Sequence, residues 1–99
     1  MQGNFNNLIN SNIPVIVDFH ATWCAPCKMQ TPIMHEVSKE MHENVKIIKI
    51  DVDKNPEIAA RYNIRSVPTI LLFKNGQVKF QQSGVMDKNS LIRLVNQHQ

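Results

Sequence analysis

A chain of 99 residues that is 42% hydrophobic and 19% charged has the make-up of one globular domain, large enough to bury a core without covalent staples. The net charge of +3 comes from eleven Lys and Arg scattered among eight acids, without the basic run that nucleic-acid binding needs. No stretch reaches the ~20 apolar residues of a membrane span, and the N-terminus lacks the cationic leader and apolar run of an export signal, so a cytoplasmic location is expected.

The first element is a short amphipathic helix, with Phe5, Leu8 and Ile9 at helical spacing. Pro14 to His20 (PVIVDFH) is a near-continuous apolar run, the pattern of a strand covered on both faces. A stretch with two cysteines follows. Beyond it, Met29, Ile33, Val37 and Met41, each four apart, predict the apolar stripe of a long helix. Pro32 inside that pattern predicts a kink. Met34 is read as core filler like Met29 and Met41, and His35 and His42, off the stripe, as solvated.

Val45 to Asp51 (VKIIKID) reads as a second buried strand. Asn55-Pro56 predicts a helix start, a capping side chain followed by proline at the first helical position, in a short helix to about Tyr62. TILLFK (69–74) and QVKFQQ (77–82) are strands joined by Asn75-Gly76, a strong hairpin signal. Asp87 can cap a last helix whose inner face is Leu91, Leu94 and Val95. Strand–helix–strand at the front predicts a parallel pair with a right-handed crossover, and the hairpin adds antiparallel strands. Helices must then cover both faces of the sheet.

The two cysteines stand in Thr22-Trp23-Cys24-Ala25-Pro26-Cys27-Lys28. A loop closed over two residues stabilises little, which makes a structural staple a poor reading. A structural zinc site wants four ligands, and His20, His35, His42 and His98 form no second cluster. Redox chemistry suits the position better. Cys24 follows a strand and opens a helix, where unpaired N–H groups and the macrodipole favour a thiolate. Cys27 is three residues on, on the same helical face, and Pro26 falls in the first turn, where its missing N–H costs little. This spacing suits a reversible disulfide with one exposed attacking sulfur and one more buried resolving sulfur.

Asp18 stands mid-strand in an apolar run, six residues before Cys24. Burial should raise its pKa. Lys49, in the neighbouring strand, could be its partner. Perturbed buried acids cluster at functional sites, so Asp18 is a candidate to exchange a proton with Cys27. His20 shares Asp18's face of the strand at a Cα separation of about 6.6 Å, and could couple its own titration to the site.

VDF-ATWCAPCK, then Pro32, then KIDVDKNPEIAARYNIRSVPTILLFKNG, then Gly84, closely resembles thioredoxin over essentially the whole chain after residue 4. The resemblance implies the α/β thioredoxin fold and a dithiol–disulfide oxidoreductase that reduces protein disulfides. It implies that Cys24 attacks and Cys27 resolves, that Asp18 is the buried acid with Lys49 beside it, and that Trp23, Ala25 and Pro26 flank the site. It further implies a cis peptide before Pro68, substrate main chain pairing with Val67, and Gly84 admitting the substrate. Neither cofactor nor metal is expected. The implied partners are disulfide-containing proteins and a flavin- and NADPH-dependent reductase, and the chain is expected to be a monomer.

Three departures stand out. Ala25 replaces the family's commonest glycine, His20 stands where bacterial members often carry an aromatic, and only MQG precedes the first helix to make an opening strand. The sheet is therefore expected to have about four strands, with Val45–Asp51 as an exposed edge. Two other functions fit the fold: a thiol oxidase or isomerase of higher potential, and a binding module in which redox activity is incidental.

Overall fold

The computed structural model describes residues 2–99, with side chains from residue 3 onward. The elements are helix α1 (Gln2–Ile9), strand β1 (Val15–His20), helix α2 (Ala25–Met41) with a 3-10 turn (His42–Asn44), strand β2 (Lys46–Asp51), helix α3 (Pro56–Arg61), strands β3 (Thr69–Lys74) and β4 (Gln77–Ser83), and helix α4 (Lys88–Asn96). They form one four-stranded mixed sheet in the order β2-β1-β3-β4. β1 runs parallel to β2 and antiparallel to β3, and β3 pairs antiparallel with β4. Among the described residues no strand precedes α1, so β2 is an edge, as expected. Of the MQG left to make an opening strand, Gln2 and Gly3 belong to α1, and Met1 lies outside the described residues.

The central strands read as apolar runs because both of their faces are covered. Ile16, Ile70 and Leu72 pack with Met34, Val37 and Met41 of α2 and with Leu91, Leu94 and Val95 of α4. Val15, Val17, Phe19, Ile50, Leu71 and Phe73 pack on the opposite face with Phe5 and Ile9 of α1 and Ile58 of α3. Phe5, Phe73 and Tyr62 interlock there, with ring centroids 5.3–6.0 Å apart. At the hairpin, Asn75 and Gly76 both take positive φ (52° and 80°), the requirement of a type I′ turn. The turn is tied to the α1–β1 connection by Asn75 N–H donating to Ser11 O (2.7 Å) and Gly76 N–H to Ile9 O (3.0 Å).

Four expectations need correction. The buried line of α2 is Cys27, Gln30, Met34, Val37 and Met41. Met29 is 63% exposed and Ile33 is only packed at the margin. A strict spacing of four drifts around a 3.6-residue helix, whereas alternating steps of three and four hold one face. Leu8 is likewise exposed, leaving Phe5 and Ile9 to anchor α1. Asn55 stands at the N-cap of α3 with Pro56 at its start, but its side chain does not cap the helix. It donates to Asp51 O (3.0 Å), while its backbone carbonyl accepts the first helical N–H from Ala59 (3.1 Å). Val45 is buried but lies one residue ahead of β2, and within β2, read as a buried strand, only Ile50 is buried, because the strand lies at the edge of the sheet.

Candidate active site

β1 delivers the chain to the C-terminal end of the sheet, and α2 begins five residues later. Cys24 is the N-cap of α2. Its backbone is extended (φ −98°, ψ 109°), and its sulfur accepts the N–H of Cys27 at 3.2 Å. A cysteine at this position does the work of a capping Ser or Asp, and the same donor and the helix dipole favour the thiolate when the sulfur is reduced. Cys24 and Cys27 are disulfide-bonded, with Cα atoms 5.3 Å apart. Both residues are only 4% exposed, against the expectation of one exposed and one buried sulfur. The oxidised pair is folded inward against Ala21, Val52 and Val67.

Surroundings, not burial, distinguish the two. The Cys24 sulfur lies 3.6 Å from the carbonyl oxygen of Val67. The Val67–Pro68 peptide is cis, as the resemblance implied, and Thr69 Oγ1 donates to Ser66 O at 2.7 Å within the same loop. Gly84 N–H donates to Pro68 O (2.8 Å). Gly84 sits at φ 94°, outside the range of most L-residues, and open space surrounds the position of a Cβ there. Trp23 is 71% exposed beside the exposed Ala25 and Pro26. Its indole N–H donates to Asp53 Oδ2 at 2.8 Å, which fixes the ring as one wall of a groove of about 120 Å³ shared with Val52, Ile64, Arg65, Ser66 and Val67.

Cys27 lines a different cleft, also of about 120 Å³, together with His20, Ala21, Thr22, Lys28, Thr31 and Lys49. Asp18 is fully buried, on the sheet face of Ile16, and pairs in register with Lys49 across the parallel ladder. Lys49 is not its hydrogen-bond partner. The Lys49 amine donates to Thr31 Oγ1 (2.6 Å), which in turn donates to Cys27 O (3.3 Å). Neither Asp18 oxygen has a hydrogen-bond partner among the described residues. Burial pushes the Asp18 carboxyl up from 3.8 to about 6, against the opposing pull of the Lys49 charge. Such a carboxyl is largely ionised at pH 7 yet close enough to neutrality to take up a proton. His20 is half-buried, and burial together with the Lys49 charge lowers its pKa below that of a free imidazole.

Two residues that hold the site together were not picked out from sequence. Gln30 is fully buried and clamps Met86 from both sides, donating from Nε2 to Met86 O (3.0 Å) and accepting Met86 N–H at Oε1 (2.8 Å). It thereby fastens α2 to the segment that follows Gly84. Its sequence signal is a polar residue on the apolar line 27, 30, 34, 37, 41, visible only once that line is drawn correctly. Asp53, the anchor of Trp23, is 30 residues away in the chain, and no local pattern reveals the contact. Among the described residues no cluster of three metal-ligating side chains occurs.

The thioredoxin family model matches residues 1–97. Thioredoxin from Rickettsia bellii is 51% identical over 89 residues, covering 90% of this chain and 85% of that protein. Thioredoxin from Haemophilus influenzae is 46% identical over 91 residues, covering 92% and 85%. Among solved structures, a mutant thioredoxin from Halobacterium salinarum superposes with a TM-score of 0.90 at 32% identity, covering 99% of this chain and 85% of that one. The oxidized form of mitochondrial thioredoxin 3 from Saccharomyces cerevisiae gives 0.86 at 33% identity, covering 97% and 89%. With the sheet order, the Cys24–Cys27 disulfide and these matches together, the chain belongs to the thioredoxin family and is a thiol–disulfide oxidoreductase with the α/β thioredoxin fold.

Proposed function

We propose that this protein reduces disulfides in other proteins as a single-domain, monomeric, cytoplasmic carrier of two electrons, with Cys24 attacking and Cys27 resolving. The Cys24 thiolate attacks one substrate sulfur, forming a mixed disulfide and expelling the other substrate sulfur as a thiolate. Cys27 gives up its proton and attacks the Cys24 sulfur. The second substrate thiol leaves, and the Cys24–Cys27 disulfide remains. The substrate has gained two electrons and the protein has lost two. Reduction by a flavin- and NADPH-dependent reductase closes the cycle.

The observation that carries this assignment is the setting of the Cys24 sulfur, at the cap of α2 and 3.6 Å from Val67 O. A substrate strand pairing with the Val67 backbone brings its disulfide to Cys24 and not to Cys27. Pro68 shapes that loop, Gly84 leaves the approach open, and Trp23, Ala25 and Pro26 form the rim. Asp18 takes the Cys27 proton, and the Lys49 charge keeps Asp18 ionised enough to do so.

The test is trapping. Cys27→Ser should accumulate mixed disulfides with protein substrates, and Cys24→Ser should accumulate few. Equal trapping by both variants reverses the assignment. A redox titration against glutathione separates a reductase from an oxidase or isomerase, which would need a much higher potential.

A further inference from the structure

Every cycle obliges the interior to lose a proton. Cys27 must be deprotonated before it attacks, and Asp18, once it holds that proton, must discharge it before the next turnover. Asp18 is fully buried and has no hydrogen-bond partner among the described residues. A carboxyl enclosed in this way reaches solvent through the groups that neighbour it.

The cleft on the Cys27 side offers such a route. Its wall includes Cys27 itself, the half-buried His20 ring, the hydroxyl-bearing Thr22 and Thr31, and the Lys28 and Lys49 side chains. His20 ends β1 two residues after Asp18, so the two side chains project to the same face of the sheet. Of the groups around the cleft, only an imidazole both accepts and releases protons near neutral pH. The threonine hydroxyls act only as hydrogen-bonding links.

We propose that His20 is the proton-relay residue of the resolving half-reaction, passing the proton that Asp18 takes from Cys27 out through this cleft to solvent. The inference rests on the reading of Cys27 as the resolving sulfur and Asp18 as its base. No bond other than S–S and X–H bonds changes. The proton leaves Cys27 Sγ for the Asp18 carboxylate, passes to the imidazole, and leaves as a second ring proton to water or buffer.

The electrostatics suit a relay. Burial raises Asp18, while burial first, and then Lys49 and Lys54, lower His20, with Asp51 opposing. The two groups, ordinarily well apart, are thus shifted toward one another, Asp18 upward and His20 downward. Lys49 and Asp51 face His20 from β2, Lys54 from the turn after it, and Lys28 from α2. Burial first, with the lysine charges after it, favours the neutral imidazole, which is the form that accepts a proton.

The experiment is a stopped-flow reaction of the reduced protein with one equivalent of 5,5′-dithiobis(2-nitrobenzoate). Capture of Cys24 releases one thionitrobenzoate, and displacement by Cys27 releases a second. His20→Gln should leave the first phase unchanged. It should slow the second by about tenfold around pH 7, less than the 10²–10⁴ of a base acting directly, and added imidazole should restore the rate. His20→Asn should behave alike and guards against a folding artefact of one variant. Asp18→Asn is the control and should slow the second phase without imidazole rescue. The inference is overturned if the His20 variants match the wild-type second phase while Asp18→Asn is slow. It is equally overturned if both phases slow together, or if imidazole fails to rescue. A normal second phase in Asp18→Asn overturns the underlying reading instead, and the relay with it.

Discussion

Asp18 and Lys49 are register partners across the β1–β2 ladder, yet the Lys49 amine turns to the Thr31 hydroxyl and leaves both Asp18 oxygens without a hydrogen bond. A carboxylate buried in this way lowers stability when it ionises. In the folded state the group titrates at about 6, and in the unfolded chain near its ordinary 3.8. Between these values the folded protein binds more protons than the unfolded one, so stability falls as pH rises from about 4 to about 6 and stays low above that. The shift corresponds to roughly 3 kcal/mol. Asp18→Asn should therefore be more stable than wild type above pH 6, by about 1–3 kcal/mol once the unpaired amide is allowed for. It should also lose the pH dependence within that window. Urea denaturation at several pH values reads this directly, and parallel curves for the two proteins would contradict it.

Gln30 is the reverse case, a buried polar group with its needs met. Gln30→Met keeps the volume but strips the N–H and C=O of Met86 of their partners inside the core. Leaving buried groups unpaired costs about 1–3 kcal/mol each, so a loss of about 3 kcal/mol is expected. For a domain of this size each kcal/mol lowers Tm by roughly 4–8 °C. Activity should fall as well, because the segment after Gly84 loses its tether to α2. A thermal melt unchanged within a few degrees would show that Met86 finds other partners.

Trp23 and Asp53 form a unit at the rim. With Trp23 mostly exposed, Trp23→Ala should cost little stability. It should instead raise KM for protein substrates by removing a wall of the groove, while reduction of a small aromatic disulfide changes little. Asp53→Ala should reproduce a weaker form of the same effect, since it frees the ring without removing it. Steady-state kinetics on both substrate types would distinguish this from a general loss of reactivity, in which both substrates would suffer alike.

The strands and the hairpin were legible because their signals are local: continuous apolar runs for β1 and β3, and Asn75-Gly76 for the turn between β3 and β4. The position of Cys24 at the start of α2 was equally plain. The line along α2 was misdrawn because a spacing of four and an alternation of three and four look alike over two turns, and the methionines at 29 and 34 are chemically equivalent candidates. Asn55 was read as a cap from residue type alone, but its amide finds the Asp51 carbonyl instead. The Lys49–Thr31 link, the Gln30 clamp and the Trp23–Asp53 bond each join residues 18 to 56 positions apart. Such contacts follow from the assembled sheet and leave no trace in local pattern.

The unpaired edge of β2 also has a consequence in time. Lys46 N–H donates to Pro14 O and Val52 N–H to His20 O, so by the two-residue period the amides of Ile48 and Ile50 also point into the ladder with β1. The amides of Ile47 and Lys49 point away from it, toward no neighbouring strand among the described residues. Within one strand, adjacent amides therefore live on separate clocks. Those at 47 and 49 trade hydrogen for deuterium in the intact fold, whereas those at 48 and 50 wait until the centre of the sheet comes apart.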